Sequence, residues 1–281
     1  MTYFGFLAIF LGIPIAVLSI LTIVDHRRGK WQPASLNALP AWGVMIALCV
    51  VAFVYTTPCD NYLVATGVWW YDIELVNGLV IGYVPIEEYT FFLVQPVMTS
   101  LLLLALIRYL PVNPDRADNP TMRRNAMIGA GVLWVVMTVI LLLTFVSESF
   151  KPATYLSLEL SWALIPIIIQ FVFGADILWR HRTQVFLAIA ISTLYLSWAD
   201  SIAIGSGTWT IDPEQSFHSI LIGGILPIEE FIFFLITNTL VTFGMTLVLA
   251  EESQERTDAL DRYAALRPAI NWLRRVRIKA I

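Results

Sequence analysis

Two short segments place paired glutamates directly before long apolar runs. The sequence PIEE occurs at 85–88 and again at 227–230, and each copy is followed by about twenty predominantly apolar residues. If such a run crosses a membrane, an ionisable group within it costs about 2.5 kcal/mol or more, and such groups usually face the interior of a helix bundle and mark function. The four candidate catalytic residues are therefore Glu87, Glu88, Glu229 and Glu230.

Carboxyl pairs in a dry pocket can perform acid–base chemistry. Two carboxyls that share such a site cannot both ionise easily, so one retains a proton beside a carboxylate. Adjacent glutamates lie about 100° apart on a helix, so one can be the proton donor and the other its hydrogen-bond partner. A second interpretation stays open: a glutamate after proline can simply begin a helix at the interface, where it suits the helix dipole and water reaches it.

Aromatic residues surround both copies and could stabilise a cationic intermediate with their ring faces. The candidate substrate-binding residues are Trp69, Trp70, Tyr89, Phe91, Phe92, Trp209, Phe231, Phe233 and Phe234. An interfacial aromatic belt explains any single one of them equally well. Four aspartates near the copies are expected in outer loops at the mouth of the pocket, namely Asp60, Asp72, Asp200 and Asp212.

The composition indicates what positions these groups. The chain has 281 residues, of which 58% are hydrophobic and 14% are charged, and its mean hydropathy is +0.75. A soluble domain carries about 25% charged residues, and a disordered chain needs low hydrophobicity. Both classes are therefore excluded, and at about 20 apolar residues per span we expect an all-α polytopic membrane protein.

Seven apolar segments predict about seven transmembrane helices. They cover approximately residues 3–24, 41–58, 79–107, 126–147, 159–179, 184–204 and 217–250. The third and seventh exceed the bilayer thickness, so we expect them to tilt, protrude or kink at Pro85 and Pro227. Helices that begin near Leu79 and Ser219 would place the glutamates eight to twelve residues from the helix start.

The basic residues predict the orientation. Of the 17 Lys and Arg residues all but Lys151 fall on one side of the seven spans. The positive-inside rule then places the N-terminus outside and the C-terminus in the cytoplasm of a multi-pass plasma-membrane protein. Residues 251–281 mix charged residues with Leu and Trp and are expected to form a cytoplasmic amphipathic helix. The net charge of −4 gives no indication of nucleic acid as a partner.

The sequence repeats itself at a distance of about 140 residues. The stretch GVWWYD at 67–72 followed by GYVPIEEYTFFL recurs as GTWTID at 207–212 followed by GILPIEEFIFFL. An offset of four spans places both copies the same way up, so a parallel repeat with a cavity at its pseudo-twofold axis is expected. The predicted division is a first three-helix repeat, a connector with the fourth helix, a second repeat and the tail, at 1–112, 113–155, 156–250 and 251–281.

Motifs for other chemistries are missing from the sequence. There is no complete GxGxxG, no aspartate-rich diphosphate motif and no HExxH, so no cofactor or metal is visible. Two of the three histidines, His26 and His181, stand beside arginines at helix ends and are expected to be solvated. The chemistry should therefore be redox-neutral and act on an apolar, lipid-soluble substrate taken from the bilayer.

The doubled motif resembles the lycopene cyclase domain of the heterodimeric type, in its fused two-repeat form. The resemblance rests on the paired PIEE segments, the aromatic pairs at 91–92 and 233–234, and the preceding GVWWYD and GTWTID, and it extends to about residue 250. In that family the two halves occur as separate subunits or as one fused chain. The resemblance implies a lycopene beta-cyclase acting on a carotenoid in the membrane; association with other carotenoid enzymes stays open.

The resemblance implies conversion of the linear ends of lycopene to β-ionone rings, through γ-carotene to β-carotene. A carboxylic acid protonates C2 of the terminal double bond, the C5=C6 bond attacks the C1 cation, and a base removes a proton from C6. The four glutamates match the acidic motif of the family, with Pro85 and Pro227 setting the backbone. Which glutamate gives the proton, whether both copies act and which ring type forms stay open.

Other functions were weighed against this one. A related enzyme could cyclise a C50 carotenoid or hydrate the cation, and a hydratase would add one water to the mass of the product. An intramembrane protease with paired glutamates would need Arg four residues after the second glutamate, where this chain has Phe92 and Phe234. A proton-coupled transporter would need inverted repeats or a charged path, and a retinal-type protein would need a lysine in the last span.

Overall fold

The computed structural model describes residues 1–259, and seven of its helices are long and apolar enough to cross a membrane. The prediction of an all-α polytopic membrane protein is thereby confirmed. The seven are α1 Tyr3–Arg27, α2 Ala41–Ala65, α3 Ile86–Tyr109, α4 Pro120–Thr144, α5 Thr154–Arg180, α6 Arg182–Gly205 and α7 Ile228–Leu249. A π-helical segment, Leu7–Gly12, lies within α1, and short 3-10 helices, Ala34–Leu36 and Glu148–Ala153, precede α2 and α5. A further helix, α8, covers Glu251–Ala259.

The helices alternate in direction, so the two PIEE segments lie at the same end of the bundle. This PIEE end holds the starts of α1, α3, α5 and α7, and the opposite end, here called the basic end, holds their last turns. At the basic end Arg108 Nε donates to Asp25 Oδ2 over 2.8 Å, and both side chains are buried. The ion pair between α3 and α1 therefore closes the end of the bundle away from the glutamates.

The two helices that carry the glutamates, α3 and α7, form the buried centre of the bundle. Polar side chains connect them inside the membrane region. Gln95 Nε2 and Thr99 Oγ1 both donate to Asn238 Oδ1 over 2.7 Å, and Asn238 Nδ2 donates to Thr193 Oγ1 on α6 over 3.3 Å. Such hydrogen bonds hold helices together where no hydrophobic effect acts between them. The relative position of the two PIEE segments is thereby set.

The fourth helix, α4, lies outside this centre. None of its side chains is buried, and it runs along α5, where Trp134 Nε1 donates to the carbonyl of Ser161 over 3.0 Å. A helix between α3 and α5 that takes no part in the core fits a connecting role. The division of the chain into two repeats and a connector nevertheless stays a prediction.

Short strands cap the PIEE end. Two of them, β1 Trp69–Tyr71 and β4 Trp209–Ile211, pair antiparallel, with Trp70 opposite Thr210 at the centre of the pair. We call this pair the ribbon. Asp72 N donates to Thr208 O over 3.2 Å, and Asp212 N donates to Val68 O over 2.8 Å, so the pattern is reciprocal. A twofold axis through the centre of the ribbon would produce this register.

Two small hairpins stand directly before α3 and α7. In the first, β2 Val80–Ile81 pairs with β3 Val84–Pro85; in the second, β5 Leu221–Ile222 pairs with β6 Leu226–Pro227. The first turn uses Gly82 at a φ of +68°, and a side chain there would also meet Asn61, since an added Cβ would lie 2.2 Å from its Oδ1. The hairpins therefore take up the residues that made the third and seventh apolar segments too long.

The expected kinks at Pro85 and Pro227 are wrong. Both prolines are extended, with φ and ψ of −71° and 154° for Pro85 and −57° and 144° for Pro227, and the helices begin at the next residue. The physical reason is that proline has no N–H, restricts its own φ and disfavours helix for the residue before it. The glutamates consequently lie in the first turn of each helix, not eight to twelve residues inside.

At the basic end, α8 is held against α5. Arg256 forms a 2.7 Å ion pair with Asp176, and Arg180 bonds to Glu252. The rest of the predicted amphipathic tail, 260–281, lies outside the described residues. His181, the single residue between α5 and α6, is 0% exposed, so its predicted solvation is wrong. Burial, with the neighbouring charge of Arg180, lowers the pKa of His181 to about 4.

Candidate active site

The two glutamates of each PIEE copy have different surroundings. The first of each pair turns back towards the loop before it: Glu87 Oε1 accepts from the backbone N–H of Asn77 over 2.5 Å, and Glu229 Oε1 accepts from that of Phe217 over 2.6 Å. Both side chains are nearly inaccessible, at 1% and 0% exposed. This pair therefore fixes the loops at the PIEE end to the start of α3 and α7.

The second glutamate of each copy faces the interior of the bundle. Glu88 Oε2 accepts from the hydroxyls of Tyr3 over 2.5 Å and Tyr71 over 3.1 Å. Glu230 Oε1 accepts from the hydroxyl of Tyr155 over 2.7 Å. The turn of about 100° between neighbouring helix residues separates these two roles. We call Glu88 and Glu230 the inward pair.

Matching backbone contacts place the two tyrosines. Tyr3 N donates to Leu75 O over 2.9 Å at the start of α1, and Tyr155 N donates to Gln215 O over 3.0 Å at the start of α5. Each tyrosine then reaches the glutamate of its own copy across the bundle. Sequence reasoning missed both, although each is a tyrosine at the start of a first repeat helix, Tyr3 before IPI at 13–15 and Tyr155 before IPI at 165–167.

The expected loop position is right for two aspartates and wrong for the other two. Asp72 and Asp212 lie in loops, where each Oδ1 accepts from the backbone N–H two residues further on. Asp60 and Asp200 lie instead within α2 and α6 and are 2% and 1% exposed. The helix α2 continues beyond the predicted end of its apolar segment and so includes Asp60, whereas Asp200 lies inside the predicted sixth segment, 184–204. A helix satisfies its own backbone groups and tolerates a polar residue that faces inward.

A further buried acid, Glu159, was not singled out from the sequence. It is 2% exposed, and neither carboxyl oxygen has a hydrogen-bond partner among residues 1–259. It lies close enough to Glu230 for their charges to interact. The signal was present, since Glu159 is an isolated acid between apolar residues, but it fell at the predicted edge of the fifth span.

The acids at this site have no cationic partner within the described part of the chain. None of its ion pairs involves the five interior acids, which are Asp60, Glu88, Glu159, Asp200 and Glu230. An unpaired buried charge is expensive, and several in one region repel one another. Most of the five must therefore hold a proton. Outside the spans, burial and then the charge of Glu88 hold the pKa of the Tyr71 phenol well above its usual value, so this hydroxyl stays a donor.

The inward pair lines one cavity at the centre of the PIEE end. Its volume is about 30 Å³, and Asp200 also contributes to its wall. The remaining lining side chains are all aromatic: Tyr3, Phe6, Trp69, Tyr71, Phe91, Trp209, Phe233 and Phe234. Trp209 Nε1 donates to Asp200 Oδ1 over 3.0 Å. We call this space the acid cavity.

Five of the nine predicted substrate-binding residues meet in the acid cavity: Trp69, Phe91, Trp209, Phe233 and Phe234. Phe92 lines a neighbouring cavity. Tyr89 is buried and donates to the carbonyl of Ile81 over 2.8 Å, so it supports the first hairpin. Trp70 is 47% exposed, and neither it nor Phe231 is brought to the acid cavity within residues 1–259. Their role in binding stays a prediction for all nine.

This arrangement can move protons next to an apolar molecule. Two carboxyls face the same small space, tyrosine hydroxyls fix the orientation of both, and a proton held by one of them would lie opposite a carboxylate that can accept a proton. Aromatic faces form most of the wall and can stabilise positive charge between the two. Water would be limited to about one molecule, whose share of liquid volume is about 30 Å³.

Comparisons with known proteins give relatives over most of the chain. It is 37% identical over 251 residues to the lycopene beta-cyclase of Halobacterium salinarum, which covers 88% of this chain and 95% of the relative. It is 38% identical over 206 residues to the bifunctional lycopene cyclase/phytoene synthase of Podospora anserina, covering 72% of this chain and 34% of the relative. The corresponding protein of Aspergillus oryzae is 33% identical over 208 residues, which is 74% of this chain and 34% of that protein. Scans of family models and of solved structures give no match.

Proposed function

The chain belongs to the lycopene beta-cyclase family, and on that premise we propose that it closes the linear ends of lycopene through the inward pair, Glu88 and Glu230. Closure of one end gives γ-carotene, and closure of the second gives β-carotene. The observation that carries the proposal is that one carboxyl from each PIEE copy lines the same aromatic cavity. A related C50 cyclase, a hydratase and a transporter are not favoured, because the relatives carry the cyclase name.

Glu230 supplies the proton in this proposal. It accepts one tyrosine hydroxyl, whereas Glu88 accepts two, and hydrogen bonds to a carboxylate stabilise its charged form. Glu230 is thereby the better acid of the inward pair, and Glu88 is the better base.

The steps balance without an oxidant or a cofactor. The proton of Glu230 adds to C2, and the resulting cation at C1 is attacked by the C5=C6 bond, which forms the C1–C6 bond and leaves the positive charge at C5. Glu88 then removes the proton from C6. The electron pair of the broken C6–H bond forms the ring double bond between C5 and C6. One proton enters and one leaves, so the product is an isomer of the substrate.

The aromatic wall acts on the cation between these two proton transfers. Phe91 and Phe233, one from each copy, stack with ring centroids 6.5 Å apart and an interplanar angle of 28°. Trp69 meets Phe233 edge to face at 6.5 Å. These faces are arranged before the charge develops, which is the condition for electrostatic stabilisation of a transition state. Asp200, in the same wall, can return the proton from Glu88 to Glu230 for the next ring.

The membrane, the orientation of the chain in it and the cofactor requirement are part of the same proposal. The positive-inside rule supports a cytoplasmic position for the basic end and an outside N-terminus, and the membrane that we propose is the plasma membrane. The PIEE end then lies towards the outer leaflet, and the lipid-soluble carotenoid reaches it from the bilayer. No cofactor takes part in the proposed steps, in which one proton enters and one leaves.

Expression in a bacterium that accumulates lycopene tests the proposal. We expect γ- and β-carotene to replace lycopene in the pigment extract, with no change in molecular mass. A product heavier by one water would indicate hydration instead. Unchanged lycopene in cells that accumulate the protein in their membranes would contradict the proposed function.

A further inference from the structure

A groove on the lipid-facing surface leads towards the acid cavity. It lies between α2 and α5, has a volume of about 720 Å³ and is open to the side. Its main lining residues are Val50, Val51, Val54, Pro58, Leu158 and Trp162. In a membrane this surface faces acyl chains, which are the medium in which a linear polyene dissolves. We call it the side groove.

A second cavity lies between the side groove and the acid cavity. Its volume is about 150 Å³, and it shares Val51, Tyr55 and Trp162 with the side groove. On its inner side it shares Phe91 and Phe233 with the acid cavity. The three spaces therefore lie next to one another in a row. Tyr55 and Trp162 separate the first from the second, and Phe91 and Phe233 separate the second from the third. We call the second space the middle cavity.

The outer aromatic pair, Tyr55 and Trp162, closes the groove by reciprocal contacts. Their rings stack with centroids 4.9 Å apart, the Tyr55 hydroxyl donates to the carbonyl of Trp162 over 2.9 Å, and Trp162 Nε1 donates to the carbonyl of Tyr55 over 3.2 Å. The carbonyl of Trp162 is free because Pro166, four residues later in α5, has no N–H to bond it. The pair joins α2 to α5 through contacts that two side-chain rotations would break.

At the corresponding place on the other side of the bundle, the outer helices meet through a different aromatic pair. Offsets of 140 and 152 residues match Tyr55 with Tyr195 and Trp162 with Phe10. Phe10 is buried and meets Trp198 edge to face at 5.5 Å, so α1 packs directly against α6 there. The two sides of the bundle therefore carry different aromatic contacts between their outer helices, and the side groove lies on the α2–α5 side.

We propose that the side groove is the entrance for the linear polyene, with Tyr55 and Trp162 as its gate. This proposal rests on the proposed function. The acid cavity holds about one water, so an end of the substrate enters only if aromatic side chains move. The unreacted part of a long, thin hydrocarbon then extends through the middle cavity into the groove, where its apolar surface stays out of water. Each end is cyclised in turn after the molecule leaves and re-enters by its other end.

A graded series of side chains at Val51 tests the entrance. Val51 lines both the side groove and the middle cavity. Its side chain is apolar, so a substitution there removes no hydrogen bond from the interior acids. The matched control is the same series at Ile191, which lies 140 residues later on α6 and is 45% exposed. Purified protein in lipid vesicles loaded with a low content of lycopene gives initial rates for Ala, Leu, Phe and Trp at each position.

We expect V51W to lower the initial rate at low lycopene at least fivefold, with V51F and V51L in between, and I191W to stay within twofold of the parent. Equal effects on the rate at both positions, or no effect at Val51, would contradict the proposal that the side groove is the entrance. If V51W does not accumulate, V51F and V51L carry the same comparison. A parent chain that leaves lycopene unchanged overturns the proposed function and this proposal with it.

The solvent isotope effect separates blocked access from a disturbed acid site. The carboxyl proton exchanges with D2O, so protonation of the alkene is slower in D2O when that step limits the rate. Blocked access makes arrival of the substrate rate-limiting, and the ratio of rates in H2O and D2O then approaches 1 in V51W. A ratio well above 1 in a slow V51W variant would mean that chemistry still limits the rate, and would contradict the gate.

Discussion

The surroundings of Glu88 and Glu230 differ although the backbone around them is the same. In both copies a tyrosine at a helix start bonds the inward glutamate, and a loop N–H bonds the glutamate before it. The side chains beyond this frame are different: Tyr71 also donates to Glu88, whereas the matching residue near Glu230 is Ile211. Two copies of the same backbone arrangement can thus carry an acid in one copy and a base in the other.

Two further differences distinguish the copies. Glu159 occupies the place that corresponds to Leu7 in the first copy, at the 152-residue offset that matches Tyr155 with Tyr3. In the second copy Trp209 bonds Asp200, whereas the indole N–H of Trp69 has no partner among the described residues. Each difference changes the polarity around a carboxyl without changing the fold, and this agrees with the separate tasks proposed for the two copies.

The largest effect is expected from glutamine at either member of the inward pair. Loss of a general acid or base costs about 10²–10⁴-fold in rate, so E88Q and E230Q should leave lycopene essentially unconverted in pigment extracts. The residual products separate the roles. Without its base, the C5 cation of E88Q can lose a proton from C4 or from the methyl group, which gives ε-rings or rings with an exocyclic double bond. Residual E230Q product should contain β-rings only.

Chromatography of the rings formed by the two variants measures this difference. Protein levels in the membrane, determined by immunoblot, control for loss of folding. Altered ring types in E230Q with unaltered ones in E88Q would reverse the assignment of acid and base. Full activity in both variants would remove the inward pair from the mechanism.

The next effect is expected from exchanging the second hydroxyl between the copies. Y71F removes a hydrogen bond to a charged group, worth about 1.5–3 kcal/mol, so we expect conversion to fall by about tenfold. I211Y offers the acid the stabilisation that the base has, and should slow conversion several-fold, whereas I211F, which lacks the hydroxyl, is the matched control. Initial rates in lycopene-loaded vesicles measure both. If I211Y and I211F have the same rate, the number of tyrosine hydroxyls bonded to each glutamate does not distinguish the acid from the base.

A smaller effect on activity is expected from the first glutamate of each copy. Glutamine at Glu87 or Glu229 can still accept from the loop N–H, so E87Q and E229Q should keep activity within a few-fold. Alanine leaves a buried N–H without its acceptor at a cost of about 1–3 kcal/mol, so E87A and E229A should unfold at lower temperature. Thermal unfolding in detergent compares each alanine variant with its glutamine control. A glutamine variant as inactive as E88Q would show that loop fixation is not the role.

The smallest effect concerns the two histidines at the basic end. With a folded-state pKa of about 4 against about 6.5 in the unfolded chain, His181 binds protons more weakly when folded. Stability should therefore be nearly unaffected above about pH 7 and fall as the pH drops towards 4, by about 1.4 kcal/mol at pH 5.5. Melting temperatures between pH 7.5 and 5 measure this. H181Q should flatten the dependence, and H26Q should leave it intact.

The sequence predicts the seven helices because each apolar run is as long as a membrane span. The residues at which the helices begin were harder to predict. The apolar character of 79–85 and 219–227 continues across a hairpin, and hydropathy does not distinguish a strand from a helix. Proline marked the boundary at Pro85 and Pro227: the second interpretation, in which a glutamate after proline begins the helix, is right about the helix start, and the alternative of a kink at the prolines is wrong. The glutamates were found by their type and repetition, although their depth in the helix was wrong.

The partners of the inward pair could not be read from the sequence. Tyr3 and Glu88 are 85 residues apart, and nothing in either local pattern indicates that the hydroxyl of one reaches the carboxyl of the other. Asp60 and Asp200 were noticed as a repeated pair, but their burial depends on which side of α2 and α6 faces the centre. Helical periodicity is weak in runs that are apolar all around, so this orientation emerges only from packing.

The ribbon joins the two copies through main-chain atoms, and that has an evolutionary consequence. Its hydrogen bonds do not depend on the identity of the residues involved, so substitutions can accumulate on both strands while the halves stay aligned. Trp70 already faces Thr210, and Tyr71 has no tyrosine counterpart. A symmetric ancestor could therefore have acquired a division of labour one side chain at a time, without ever losing the alignment on which a shared reaction depends.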